Sequence, residues 1–160
     1  MGCTKVELRQ YRIGDLQAIV QLDELCFSEE FRFNRQAMRE FAEAQDAITL
    51  IAEDEGGGLA GFVIAHLEGP TARRYAYVVT LDVRAENRRC GVGDRLMNEM
   101  EGRARLAGAA WMELHVFAKN EGAIRFYKRG GYQRVGIKTD FYGRNLDAWV
   151  YRKDFDEGTA

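Results

Sequence analysis

One proline, Pro70, and three cysteines, Cys3, Cys26 and Cys90, are all that the 160 residues contain of either type. With one proline there is no proline-rich linker to separate domains. The cysteines are odd in number and far apart. They offer neither a metal-ligand spacing nor a disulfide framework, and a reducing cytoplasm is the natural setting. No apolar run approaches the roughly 20 residues of a membrane helix. The opening residues, MGCTKVELRQYR, lack the apolar stretch of a secretory signal. Gly2-Cys3 resembles a lipidation start, but Val6 stands where that pattern wants Ser or Thr. Charge of one sign is missing too. The net charge is −2 with both signs mixed, so there is no stripe for nucleic acid. Internal repeats and low-complexity segments are absent.

What is present is a chain with a core. Hydrophobic residues make up 46% and argue against disorder. The length fits a single domain over 1–160, with a core over about 4–155 and a flexible tail at 156–160.

Val6, Leu8 and Gln10 to Arg12 read as a first strand. Asp15 is placed to cap a helix with Leu16, Ile19, Val20, Leu22 and Leu25 at helical spacing. Asn34 caps a second helix with Met38, Phe41 and Ala42. Ala47 to Glu53, Leu59 to Glu68 and Arg74 to Val83 read as strands, the first two joined by Gly56-Gly57-Gly58. A helix after Gly93 carries Leu96, Met97, Met100, Ala104 and Ala107, and Gly108 stops it. Trp111 to Phe117 is a strand and Asn120 to Arg129 a short helix. Tyr132 to Ile137 and Ala148 to Lys153 are two closing strands. The sum is an α/β domain with a mixed sheet of about seven strands and about four helices.

The most informative stretch is Thr80 to Gly93, TLDVRAENRRCGVG. A strand runs into a short loop with two arginines and two glycines, and a helix follows. Glycines let successive N–H groups turn one way, and a helix start adds partial positive charge. Arg88 and Arg89 supply planar donors that suit phosphate. The ligand indicated is a phosphate or pyrophosphate. The third glycine of the dinucleotide fingerprint and the Gly-Lys-Ser/Thr ending of a P-loop are both lacking.

These residues resemble the GCN5-related N-acetyltransferase (GNAT) family. Its pyrophosphate loop, Gln/Arg-x-x-Gly-x-Gly/Ala, is matched by Arg88, Gly91 and Gly93. The family's asparagine and tyrosine around a short helix are matched by Asn120 and Tyr127 in KNEGAIRFYKRGGY. A narrower resemblance is to the catalytic subunits of protein N-terminal acetyltransferases. In their eukaryotic and archaeal branch a histidine stands five residues before the asparagine, as His115 does. One eukaryotic branch has a tyrosine three residues before the strand threonine, as Tyr77 is before Thr80. The tail DFYGRNLDAWVYRKDF resembles the closing hairpin. Its aromatic pair, often Tyr-Tyr, is Phe141-Tyr142 here, which removes one hydroxyl.

The resemblance implies a single-domain GNAT fold, mainly antiparallel, and acetyl-CoA as cosubstrate with no metal. It implies that Leu81, Asp82 and Val83 run beside the pantetheine arm and that the Leu81 amide polarises the thioester carbonyl. It places Arg88, Arg89, Gly91, Val92, Gly93 and Asp94 around the pyrophosphate. His115 is the candidate base, acting with Tyr77. The bland alternative is a histidine packed in the sheet, with Glu113 as fallback base. Tyr127 is the candidate proton donor to the leaving thiolate, or a core residue like Ile124. Asn120 bonds pantetheine or caps its helix. Cys90 fills a variable loop position, and His66 reads as a satisfied sheet histidine. Phe27, Phe31, Phe33, Phe141 and Tyr142 line the acceptor entrance or form a homodimer contact.

Three functions remain open. The first is an acetyltransferase for a protein N-terminal α-amine. The second is the same chemistry on lysine or a small amine. The third is an acyl-CoA-binding domain without turnover, which has no use for His115, Tyr77 and Tyr127.

Overall fold

A computed structural model of the chain describes residues 3–155. Gly2 of the lipidation pattern and the tail at 156–160 lie outside the described residues. The strands are β1 (Val6–Gln10), β2 (Ala47–Asp54), β3 (Leu59–Glu68), β4 (Tyr75–Val83), β5 (Trp111–Phe117), β6 (Gln133–Lys138) and β7 (Ala148–Asp154). The helices are α1 (Leu16–Cys26), α2 (Arg35–Glu43), α3 (Val92–Leu106) and α4 (Glu121–Arg129). The sheet order is β1-β2-β3-β4-β5-β7-β6. The β4–β5 pair is parallel, and β1–β2, β2–β3, β5–β7 and β6–β7 are antiparallel. This is the expected mixed α/β sheet.

Contacts group the chain into two compact units. The first comprises Met1–His66 and Val79–Arg103. Its core is Leu16, Ile19, Leu22, Met38, Ile51, Phe62 and Ile64, with Phe33 and Phe41 packed against it. Leu96 and Met100 bury one stripe of α3 as the periodicity predicts. The second unit comprises Leu67–Val78 and Ala104–Ala160. There Met112, Leu114 and Val116 alternate inward along β5 and Ala148 and Val150 along β7, where Tyr151 is buried on the other face. The edge strand β6 is exposed throughout, and an irregularity at Arg134/Gly136 breaks its ladder.

Four expectations change. Leu25 is 74% exposed, because nine residues at about 100° each carry it half a turn from Leu16. Asp23, nearly in line with Leu16, takes the buried place. Ala107 is exposed just past the end of α3. Asp15 precedes α1 but does not cap it with its side chain. Its carboxylate instead accepts from Arg12 N–H at 2.7 Å and from both terminal nitrogens of Arg9.

The last change concerns the cysteines. Cys3 and Cys90 form a disulfide, with their Cα atoms 5.6 Å apart and a sequence separation of 87. Only Cys26 is a free thiol. Arg95 explains the approach. From the first turn of α3 it donates to the Val6 carbonyl at 2.7 Å, drawing the start of β1 toward the loop that holds Cys90. No spacing in the sequence carries that information.

Candidate active site

The anion loop is made by reversing the hand of the backbone. After Val83 a 3₁₀ turn (Ala85–Asn87) leads to Arg88. Arg89 has φ 67° and Gly91 φ 79°, so two left-handed residues stand within three positions. Such a sequence of conformations aims N–H groups into one concavity. Gly91 adopts it without steric penalty, and a Cβ there would meet nothing within 4 Å. The Arg95 N–H bonds the Gly91 carbonyl at 3.0 Å, which fixes the start of α3. The Val92 and Gly93 amides precede that first intrahelical bond and point out of the helix end. This cradle has the donor set that a pyrophosphate needs. Arg88 and Arg89 are both exposed. Arg88 is steadied from behind, with Nε on the Val83 carbonyl at 3.2 Å and a terminal nitrogen 3.7 Å from Cys26 Sγ.

The strand ahead of the loop alternates strictly. Tyr75, Tyr77, Val79, Leu81 and Val83 share the half-buried face, and Ala76, Val78, Thr80 and Asp82 the buried one. Leu81 and Val83 therefore turn their side chains to the same side as Tyr77. Asp82 is 1% exposed, its side chain turned into the core. Gly61 on β3 is what lets β4 come so close here. A Cβ on it would sit 2.8 Å from the Asp82 carbonyl oxygen.

In the second unit Tyr77 and His115 form a hydrogen-bonded pair, hydroxyl to Nδ1 at 2.8 Å. The parallel register sets Tyr77 opposite Glu113, and His115 is the next residue on that face of β5. Burial lowers the pKa of His115 and raises that of Tyr77 far above its ordinary value. Both groups are thus neutral near pH 7. The phenol is the stronger acid of the two, so Tyr77 O–H donates to Nδ1 and the ring proton sits on Nε2. The Phe141 ring stands edge-on to His115 at 4.5 Å between centroids. The Tyr142 hydroxyl donates to the His115 carbonyl at 3.3 Å, and burial pushes its pKa up to about 12. The hairpin expected at the acceptor entrance therefore packs directly on the candidate base. Glu113 accepts from Trp111 Nε1 at 3.3 Å, and its charge acts on His115 to raise its pKa, against the larger effect of burial.

The remaining candidates divide. Asn120 caps α4, its Oδ1 accepting from the Ala123 N–H at 3.1 Å, which leaves its amide nitrogen for a ligand. Tyr127 is half-buried, with its ring edge-on to Phe126 and Tyr132. Phe27 is half-buried just past the end of α1. Phe33 is core, stacked edge-on with Phe41 at 4.9 Å. His66 is satisfied by the Phe41 carbonyl at 2.8 Å, as a sheet histidine should be. Cys90 is held in the disulfide. Sequence reasoning missed Asp23, Thr80 and Gly61. Helical phase could have flagged Asp23, and strand alternation Thr80.

The family model described as Acetyltransferase (GNAT) family matches residues 16–132. The N-alpha-acetyltransferase daf-31 of Caenorhabditis elegans is 24% identical over 152 residues, 93% of this chain and 82% of that protein. Among solved structures, Arabidopsis thaliana NAA60 in complex with a bisubstrate analogue superposes with a TM-score of 0.83 at 23% identity, over 96% of this chain and all of that one. Arabidopsis thaliana Naa50 in complex with the bisubstrate analogue CoA-Ac-MVNAL gives a TM-score of 0.79 at 26% identity, over 94% of this chain and 99% of that one. The family match takes in the anion loop together with Tyr77, His115, Asn120 and Tyr127, and the chain belongs to the acetyltransferase (GNAT) family.

Proposed function

We propose that this acetyltransferase moves the acetyl group of acetyl-CoA to the α-amine of a protein or peptide N-terminus. The observation that carries the reading is the neutral Tyr77–His115 pair. An α-amine has a pKa of about 7.7–8.0, so about one molecule in seven is already neutral at pH 7. A lysine near 10.4 has only about one in 2,500 neutral. A buried imidazole whose pKa is lowered by burial is a weak base, and an α-amine gives up its proton to it more readily than lysine does by the roughly 2.5 units that separate the two amines. Names of relatives point the same way, daf-31 being an N-alpha-acetyltransferase.

Each residue then has a role. Acetyl-CoA supplies the acyl thioester. Arg88 and Arg89, with the amides of Gly91, Val92, Gly93 and Asp94, hold the pyrophosphate. The main chain of Leu81, Asp82 and Val83 lies along the pantetheine, the Leu81 amide polarises the carbonyl, and Asn120 donates to the arm. Tyr77 Oη accepts the amine proton as its own proton passes to His115 Nδ1. Tyr127 supplies a proton to the departing sulfur. Phe27 in the first unit, and Phe141 and Tyr142 in the second, are each given to the acceptor peptide. A homodimer contact through the exposed Phe141 is the other use of that hairpin. The reading places the enzyme in the cytoplasm, where reductant makes the state of Cys3–Cys90 a variable to control.

The test is a mixture of peptides with free N-termini and internal lysines, incubated with acetyl-CoA and mapped by mass spectrometry. Acetyl groups on N-terminal nitrogen are expected. Modification of lysine side chains alone, or acetyl-CoA binding without transfer, refutes the proposal.

A further inference from the structure

α1 and β4 each bring a carboxylate into the core of the first unit. Asp23 is fully buried and Asp82 is 1% exposed. Asp23 Oδ2 accepts from the Phe33 N–H at 2.8 Å, and Asp82 Oδ1 from the Thr80 hydroxyl at 2.5 Å. The other two oxygens, Asp23 Oδ1 and Asp82 Oδ2, are buried and find no donor among the described residues. Yet α1 and β4 meet here, the Cys26 thiol lying 3.5 Å from the Val83 carbonyl, and each carboxyl group acts on the other. Two acceptors can bond only if one carries a proton. Two adjacent buried anions would be strongly unfavourable, whereas one shared proton satisfies both orphaned oxygens.

We infer that Asp23 and Asp82 share one proton as a latch, which positions the loop between α1 and α2 against the cofactor strand for acceptor binding. The inference rests on the acceptor role given above to that loop. The Asp23–Phe33 bond closes the loop, which carries Phe27 and Phe31. Asp82 stands between Leu81 and Val83 on the strand. One proton therefore ties an acceptor wall to the main chain that receives the thioester. Asp23 and Asp82 are positioning residues.

The electrostatics agree with the geometry. Burial raises the pKa of both groups, and for Asp82 the neighbouring Asp23 raises it further. Glu24 on α1 also raises Asp23, while Arg32 on the loop lowers it. Thr80 and Arg88 lower Asp82. The Cys26 thiol is raised by burial and by Asp82 and so stays protonated. An acid whose folded pKa is raised makes a contribution that is fully present below the unfolded value near 3.9 and is lost as pH rises from there through the folded one. Rising pH should therefore open the latch.

Asp23→Asn is the decisive variant. Its carbonyl still accepts from Phe33, and its amide donates to Asp82 at every pH. Two readouts are needed: peptide KM from pH 5 to 9.5, expressed as the ratio of wild type to variant so that titration of the acceptor amine cancels, and melting temperature without substrate over the same range. With the latch, the KM ratio rises about tenfold with rising pH, and the wild type loses more melting temperature than the variant. Asp23→Ala should raise KM at all pH. Superimposable pH profiles of wild type and Asp23→Asn overturn the inference, as does an Asp23→Asn that behaves like Asp23→Ala. If Asp23→Asn does not fold, Asp82→Asn replaces it, because its amide can donate to Asp23 in the same way. The melting profiles need no acceptor. A flattened melting profile with no peptide acetylated would leave the latch standing and defeat the acceptor assignment.

Discussion

Replacing Tyr77 by Phe removes one oxygen and leaves the ring, so it isolates the proton route. Two losses are expected, and their sizes differ. The first is the hydrogen bond that orients His115, 2.8 Å long and partly buried. An ordinary net hydrogen bond contributes about 1 kcal/mol, a factor of about five in rate. The second is the relay itself. Nδ1 faces Tyr77, so without the hydroxyl no acceptor reaches the amine by this path, and general-base catalysis of about a hundredfold or more is lost. kcat/KM for an N-terminal peptide should thus fall at least a hundredfold. The assay is release of free thiol, read over pH 5.5–9 at saturating acetyl-CoA. In the wild type the acid limb should lie below pH 6.5, because burial lowers the His115 pKa. His115→Ala should erase that limb. The double variant should be no worse than the poorer single variant, since the two residues act as one chain. A fall of only about fivefold in Tyr77→Phe, or additive losses in the double variant, would show that Tyr77 merely orients the ring, and would refute the relay.

The remaining predictions bear on the loop, the disulfide and the fold. Replacing both Arg88 and Arg89 by Ala should weaken acetyl-CoA binding about ten- to a hundredfold by calorimetry, with a larger change in KM for acetyl-CoA than in kcat. Cys3→Ser, or reduction of the wild type, frees an 87-residue loop. It should remove about 4–5 kcal/mol of chain-entropy stabilisation and lower the melting temperature by about 10 °C or more; an unchanged melt under reductant would deny the bond a structural part. Asp15→Asn should destabilise by about 1–2 kcal/mol in denaturant titration at pH 7, since Asp15 is held by Arg9 at 2.8 Å. Its pKa is lowered by that pairing, so the wild-type advantage exists above the unfolded value near 3.9 and fades as pH falls through the lower folded one.

Most of the architecture was legible because local signals agreed. Trp111 to Phe117 matches β5 to the residue, since Met112, Leu114 and Val116 alternate with Glu113 and His115. Asn34 caps α2 through the Ala37 N–H at 2.8 Å, as its residue type and place suggest. What escaped was non-local. Asp15 has the right residue and place for a cap, yet Arg9 and the Arg12 amide compete for its carboxylate. The Cys3–Cys90 bond depends on an approach across 87 residues. Asp23 is invisible to an apolar pattern, because here an acid holds the core phase of its helix. The site divides in the same way. The anion loop was legible because glycines and arginines do its work locally. The Tyr77–His115 bond spans 38 residues, and the resemblance to a family, not spacing, brought that pair to notice.

The alternation of β4 explains why binding and positioning can coexist on nine residues. Its half-buried face carries Tyr77, Leu81 and Val83, the groups given to proton transfer and to the thioester arm. Its buried face carries Thr80 and Asp82, whose bonds run into the core. A slip of one residue would exchange the two faces entirely. It would bury the tyrosine hydroxyl and turn Asp82 away from Asp23. Register is therefore a catalytic quantity here, and it is pinned at both ends of the strand. Ala76, Tyr77 and Val78 pair with Met112, Glu113 and Leu114 at one end. At the other, Gly61 admits the Asp82 carbonyl at a distance that no other residue type would allow, and Asp82 reaches Asp23. Gly61→Ala should thus act on turnover through register, although its site lies on a different strand from every residue assigned to the chemistry.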